Sequence, residues 1–265
     1  MSAPHPYLFG DFSRPVVIDL FAGGGGASHG MRSAGYAPTV AINHDEAAIK
    51  MHAANHPEAH HFHASVWDVA PGPASMGRAV TLLWASPDCR DFSAAKGSAP
   101  RSESVRCLAW VVVDWAREVR PAVICLENVQ EFRDWGPLDD KGQRIPERKG
   151  ETFRQWVQAL EGLGYTVEWR LLVAADYGVP TTRKRLYLVA RCDGEPIGWP
   201  EPTHGKLGAP LLPWRAAAEC IDWDIPCRSI FNRKKPLAEA TQRRQQIRAR
   251  NAAVSSSRNE VFVGN

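Results

Sequence analysis

Four short segments of this 265-residue chain hold side chains whose types and positions suit chemistry. Cys89 stands in Trp84-Ala-Ser-Pro-Asp-Cys-Arg-Asp-Phe-Ser93, after the apolar run Val80–Ala85 and a Ser-Pro turn. A thiol where a strand ends and a loop begins is placed like a nucleophile. Its neighbours act on its ionisation in opposite directions: Arg90 favours the thiolate, whereas Asp88 and Asp91 oppose it. Glu127 closes a second apolar run, where a lone carboxylate is costly without a partner or a task. Arg183, Lys184 and Arg185 precede a third run, Leu186–Ala190, and can supply cations to the same place. Upstream of all three, Gly23–Gly26 follow the strand-like Val16–Leu20 and open a helix, a turn that lets backbone approach a ligand. Without the spacing and lysine of a P-loop, these glycines do not make a nucleotide-phosphate cradle.

The elements that must position these groups alternate in period. Val-, Ile- and Leu-rich runs predict strands at 16–21, 38–42, 80–85, 122–126, 166–173 and 185–190. Helical patterns fall at 27–34, 45–55, 104–118 and 150–163, the last closed by Gly162 and Gly164. This alternation predicts an α/β fold, a doubly wound and mostly parallel sheet with helices on both faces. In such sheets ligands bind beyond the carboxyl ends of the strands, where the glycine loop, Cys89 and Glu127 all fall.

Composition narrows the function classes. At 44% hydrophobic the chain can bury one sizeable core. A net charge of +3 is too small to identify a nucleic-acid ligand by itself. No apolar run is long enough for a membrane span, and the first residues lack a secretory signal. The six cysteines form no CxxC pair, which suits reduced thiols in a cytoplasmic protein. His52, His56, His60, His61 and His63 have metal-like steps, but no cysteine or carboxylate pattern completes a site. They read as a polar helix face running into a loop, and no metal is expected. Segment 133–149 is charged and turn-rich, and reads as an exposed insertion. After Arg191 the prolines at 196, 200, 202, 210 and 213 imply an extended crossing. Residues 228–258 carry nine Lys or Arg against the single acid Glu239, and the stretch from Gln242 reads as disordered.

In combination and in order, these segments resemble the DNA cytosine-5 methyltransferases over roughly residues 15–191. The family's first motif matches Asp19-Leu-Phe-Ala-Gly-Gly-Gly-Gly-Ala-Ser-His-Gly30. Its nucleophile motif is approximated by Asp88-Cys-Arg-Asp-Phe-Ser93, and its Glu-Asn-Val motif stands at Glu127-Asn128-Val129. Its Gln-x-Arg-x-Arg motif is approximated by Thr181-Thr-Arg-Lys-Arg185. The resemblance implies a Rossmann-like, S-adenosylmethionine-dependent fold and methyl transfer to carbon 5 of cytosine in DNA, as in restriction-modification systems. Cys89 would add to carbon 6 of the ring, Glu127 would hold its N3 and amine, and Arg183 and Arg185 would steady both. Ser93 and Asn128 would contact the base, which must leave the duplex to be reached. S-adenosylmethionine would lie over Gly23 and Gly25, against Phe21, with Asp19, His44 and Pro87 nearby. Asp68 and Val69 would meet its adenine, and Asn43 its ribose.

The resemblance also defines departures. Asn43 stands where the family carries a ribose-binding glutamate, and Asp88 where it has proline. Beyond Arg191 no target-recognition domain is evident. The chain divides into a catalytic region 1–191, a Pro-rich and basic segment 192–241, and a tail 242–265. Two functions stay open: a DNA methyltransferase, alone or with a second chain that reads the target, and a homologue that binds cofactor or a partner without turnover. A tRNA-modifying relative shares the same catalytic motifs.

Overall fold

The computed structural model describes residues 14–88, 107–206, 210–225, 238, 239, 241 and 243. Cys89 and Ser93 therefore lie outside the described residues, as does nearly all of 228–258. Seven strands form one sheet: β1 (Val16–Leu20), β2 (Val40–Asn43), β3 (His60–His63), β4 (Val80–Ala85), β5 (Val123–Asn128), β6 (Thr166–Val173) and β7 (Lys184–Arg191). Their spatial order is β3-β2-β1-β4-β5-β7-β6. The β1–β2, β2–β3, β1–β4 and β4–β5 pairings are parallel, and β7 runs antiparallel to both β5 and β6. The strand order reverses between β1 and β4, so the loops leaving those two strands turn apart and open a crevice there. The expected doubly wound, mostly parallel sheet is what the chain forms.

Helices α1 (Gly26–Ser33), α2 (Glu46–Asn55), α3 (Pro71–Ala74), α4 (Trp110–Val119) and α5 (Glu151–Gly162) connect the strands. Alternation along each strand divides their work between two faces. One face carries Ile18, Leu20, Leu83, Ile124, Leu126, Leu186 and Leu188, all fully buried. Trp169, which pairs with Leu188, meets Phe153 of α5 edge-on at 5.2 Å between ring centroids. Phe132 in turn packs edge-on against Phe153 and Trp156. Burying each such side chain contributes roughly 1.5–3 kcal/mol, and polar tips are satisfied locally: Trp156 Nε1 donates to the Ala109 carbonyl at 2.9 Å.

The opposite face holds a polar cluster beside the buried apolar Val17 and Ala41. Ser28 of α1 donates to Asp19 Oδ2 at 2.7 Å, and His52 of α2 meets Ser28 Oγ at 3.0 Å and His61 of β3 at 2.8 Å. The hydroxyl has one proton and gives it to Asp19. His52 Nε2 is therefore the donor to Ser28, and His52 Nδ1 shares a hydrogen bond with His61 Nε2. These histidines are thus no solvated helix face. His52 and His56 are buried, and His60, His61 and His63 form the edge strand β3.

Two further sequence expectations change. The insertion 133–149 is anchored at its start by Trp135, which is buried against Phe132. The Pro-rich stretch after Arg191 does run extended, but it packs back on the sheet edge. Trp199 donates to Glu168 at 2.7 Å, and Trp214 donates to Asp176 at 3.0 Å. Among the described residues, those up to Ala216 form one compact unit and those from Ala217 a second. In the second, residues Ala217–Cys220 make a 3₁₀ turn whose Ala218 carbonyl accepts from Trp223 Nε1. Among the described residues, no helix is long and apolar enough to cross a membrane.

Candidate active site

The glycine loop is built by close approach rather than by openness alone. A Cβ on Gly24 would fall 2.5 Å from Met51 Sδ, and one on Gly25 would fall 2.7 Å from the His56 ring. Gly25 also has φ +96°, which favours glycine, and its carbonyl accepts from His56 Nε2 at 3.0 Å. Both glycines therefore serve the packing of α2 under the loop. Gly23 differs: a Cβ there would meet nothing within 4 Å, so that side of the loop is open. Shortly before it, Phe21 holds φ +63°, a strained value for an aromatic residue and of a kind that concentrates at functional sites.

Phe21 forms one wall of an open pocket of about 400 Å³ beyond the strand ends. Asn43 and His44 contribute from the end of β2, and Ser65 and Val66 follow β3. Ser86 and Asp88 follow β4, and Leu108 closes the rim. The volume falls in the usual range for small-molecule sites.

Several expected contacts lie elsewhere. Asp19 is 1% exposed and turned under the loop towards Ser28, so it supports the site without facing it. Asp68 is exposed and Val69 buried off the pocket; the wall comes instead from Ser65 and Val66, three residues earlier. The small side chains of Ala64-Ser65-Val66 directly after β3 were the signal for that register. Asn43 reaches the pocket, but its amide is committed. Its Nδ2 donates to the Ala22 carbonyl at 2.7 Å and its Oδ1 accepts from the Asp45 N–H at 2.8 Å. Asn43 thereby staples the glycine loop to the start of α2 while lining the pocket.

The β5 and β7 ends carry the second half of the site. Glu127 pairs with Tyr187 across the antiparallel ladder, and Arg185 lies two residues along β7 on the same face. Arg185 Nε consequently stands 3.1 Å from Glu127 Oε1, with the two side chains 20% and 24% exposed. Burial raises the proton affinity of the Glu127 carboxyl, against the pull of the Arg185 and Arg183 guanidiniums. Arg183 is exposed and acts at longer range. Asn128, expected to contact a base, is 2% exposed. Its Nδ2 donates to the Pro87 carbonyl at 3.1 Å, and its Oδ1 accepts from the Val129 N–H. Pro87 is buried likewise and outside the pocket wall. This pair ties the end of β5 to the segment entering Cys89. Cys89 is the next residue in the sequence after the pocket-lining Asp88, and lies outside the described residues. Cys125 sits deeper on β5, where burial raises its thiol to about 11 and keeps it protonated.

The family model for C-5 cytosine-specific DNA methylases matches residues 16–207. The chain belongs to the C-5 cytosine-specific DNA methylase family. The match spans the whole seven-stranded sheet of this methylase-family chain and both halves of its site. Similar proteins include the type II methyltransferase M.AgeI of Thalassovita gelatinovora, 31% identical over 74% of this chain and 44% of that protein. M.AquIA of Picosynechococcus is 26% identical over 77% of this chain and 87% of its own length. The rice DNA (cytosine-5)-methyltransferase 1B is 29% identical over 82% of this chain and 16% of that protein. The chain thus spans less than half of M.AgeI and a small part of the rice enzyme. Among solved structures, the S. pombe Dnmt2 methyltransferase superposes with a TM-score of 0.53 at 18% identity, over 70% of this chain and 51% of that one. At that identity the likeness concerns the fold.

Proposed function

We propose that the chain transfers a methyl group from S-adenosylmethionine to carbon 5 of cytosine in DNA, through a covalent adduct of Cys89 with carbon 6. The observation that carries this reading is the Glu127–Arg185 pair at the strand ends, across the loop entry from the pocket that Phe21 and Asp88 line. The pocket suits the cofactor: its volume is adequate, Phe21 offers a ring for adenine, and Gly23 leaves a clear approach. When bound, S-adenosylmethionine supplies an electrophilic methyl on a sulfonium.

Every other step belongs to the protein and the base. Carbon 5 of cytosine is a poor nucleophile until a thiolate adds at carbon 6. As that bond forms, negative charge gathers on N3, and a carboxyl whose burial favours its protonated form can give a proton there. Glu127 is raised in that direction. Arg185 fixes the carboxyl's orientation and limits how far the rise goes. After carbon 5 is methylated, water takes its proton, the C6–S bond breaks to release Cys89 as a thiolate, and the N3 proton returns to Glu127, which restores the ring. The basic residues of 228–258 would contact DNA phosphates, which position a protein but read no sequence. Target reading, by this chain or by a second one, belongs to the same proposal.

The test is trapping. Fluorine at carbon 5 cannot leave as a proton, so DNA containing 5-fluorocytosine should hold the chain covalently in the presence of cofactor. Cys89→Ser should abolish the adduct, and Glu127→Gln should slow it by about 10²–10⁴-fold. Parallel methyl incorporation into DNA and tRNA separates the two substrates. Cofactor binding without any adduct would establish the alternative, a homologue without turnover. An adduct on another cysteine would refute the site.

A further inference from the structure

Helix α2 makes two contacts that the proposed reaction leaves unassigned. At its last turn Asn55 Nδ2 donates to the Gly24 carbonyl at 2.6 Å, and His56 Nε2 donates to the Gly25 carbonyl at 3.0 Å. The Gly25 carbonyl also accepts from the His29 N–H at 2.8 Å, inside the first turn of α1. Two successive carbonyls of the glycine loop are thus committed to the protein. A trans peptide unit is planar, with its C=O and N–H pointing opposite ways. Drawing the Gly24 and Gly25 carbonyls towards α2 therefore turns the N–H groups of Gly25 and Gly26 away from it. No side chain caps the start of α1, and its first turn holds no acidic residue. We propose that Asn55 and His56 are positioning residues, which hold the loop with its N–H donors turned to the amino-acid end of the cofactor. The inference rests on the proposed cofactor reading of this site.

The physical case starts from the glycines. Glycine adopts left-handed and right-handed backbone with little difference in energy, so Gly23–Gly26 leave each peptide unit of the loop free to turn over. A unit turned over would offer a carbonyl, whose oxygen repels an anion. Held as they are, Gly25 and Gly26 add two donors to the positive end of α1, a combination that favours negative charge. The carboxylate is the one anionic group of S-adenosylmethionine; its sulfonium and ammonium are cations. The loop can thus hold the carboxylate, and it leaves the adenosine to the walls made by Phe21, Ser65 and Val66. Because Asn55 and His56 fix the loop before a ligand arrives, ordering it does not weaken binding.

Calorimetric titration of the intact chain, without DNA, tests this with two thioethers. S-Adenosylhomocysteine carries the amino-acid end; 5′-methylthioadenosine keeps the adenosine and the sulfur but lacks that end, and is measured by displacing the first. Asn55 is exposed, so Asn55→Ala removes its bond to Gly24 and leaves the core intact. It should weaken S-adenosylhomocysteine by about three- to tenfold, the net effect of one hydrogen bond, and 5′-methylthioadenosine by less than about twofold. His56→Gln, which keeps an amide N–H near the place of Nε2, should retain most of the affinity ratio between the two ligands, whereas His56→Leu should lose it. Equal weakening of both ligands overturns the inference while leaving the pocket reading intact, and so does an unaltered chain that prefers neither. A ratio unchanged in Asn55→Ala, or in His56→Leu, overturns the assignment of that residue. Failure of the unaltered chain to bind S-adenosylhomocysteine overturns the pocket reading and the inference together.

Discussion

Replacing Arg185 with methionine isolates the electrostatics of the candidate site. Arg185 Nε lies 3.1 Å from Glu127 Oε1, and both side chains are largely but not wholly buried. Exposed pairs contribute about 0–1 kcal/mol, and breaking a buried pair costs about 3–5 kcal/mol. This pair stands between those limits, so Arg185→Met should cost about 1–3 kcal/mol while Glu127 is ionised. The cost must depend on pH. Burial already raises Glu127, and Arg185 is the largest influence opposing that rise, so its removal raises the carboxyl further. Where pH is below the value in the unaltered protein, Glu127 is protonated in both forms and the electrostatic loss is absent. The loss grows as pH rises through the raised value and is full above the variant's still higher one. Urea denaturation of both proteins across a series of pH values, repeated in a Glu127→Gln background, measures it. In that background the pH-dependent part should disappear. A loss that is independent of pH, or a pH dependence that persists when both proteins carry Glu127→Gln, would refute the coupling.

Three other outcomes follow from the loop geometry. Gly25→Ala should destabilise by about 2–4 kcal/mol, from left-handed backbone and overpacking on His56, whereas Gly23→Ala should stay within about 0.5 kcal/mol yet weaken S-adenosylmethionine binding; thermal denaturation and calorimetry read the two effects. Asn43→Glu should lose stability by about 1–3 kcal/mol and bind cofactor less well, because a carboxylate cannot donate to the Ala22 carbonyl; tighter binding would show that residue 43 faces ribose after all. Asn128→Ala should cost about 1–3 kcal/mol for each buried group left unpaired and slow Cys89 trapping, since the Pro87 carbonyl loses its anchor; normal trapping by a destabilised variant would confine Asn128 to a structural role.

The sequence determined the fold class and the strand ends at which the motifs fall. Apolar runs with β-branched residues marked six of the seven strands within a few residues; for the parallel β1, β2, β4 and β5 this follows from burial on both faces. Each motif sat at a strand end, so the site's location followed from topology before any coordinates. β3 escaped because His60-His61-Phe62-His63 has no apolar alternation, and only pairing with β2 makes it a strand. The roles of single polar residues were likewise a tertiary matter. Asp19, Asn43 and Asn128 read as ligand contacts from their motifs, and only the fold shows which protein groups also hold them: Ser28 for Asp19, the Ala22 carbonyl for Asn43 and the Pro87 carbonyl for Asn128. Sequence gives a residue its donors and acceptors, but the partner is chosen by whichever group the fold brings within about 3 Å. Glu127 shows the converse: its placement at a strand end was legible, while its partner Arg185 and the direction of its proton affinity depended on the antiparallel register of β7 against β5.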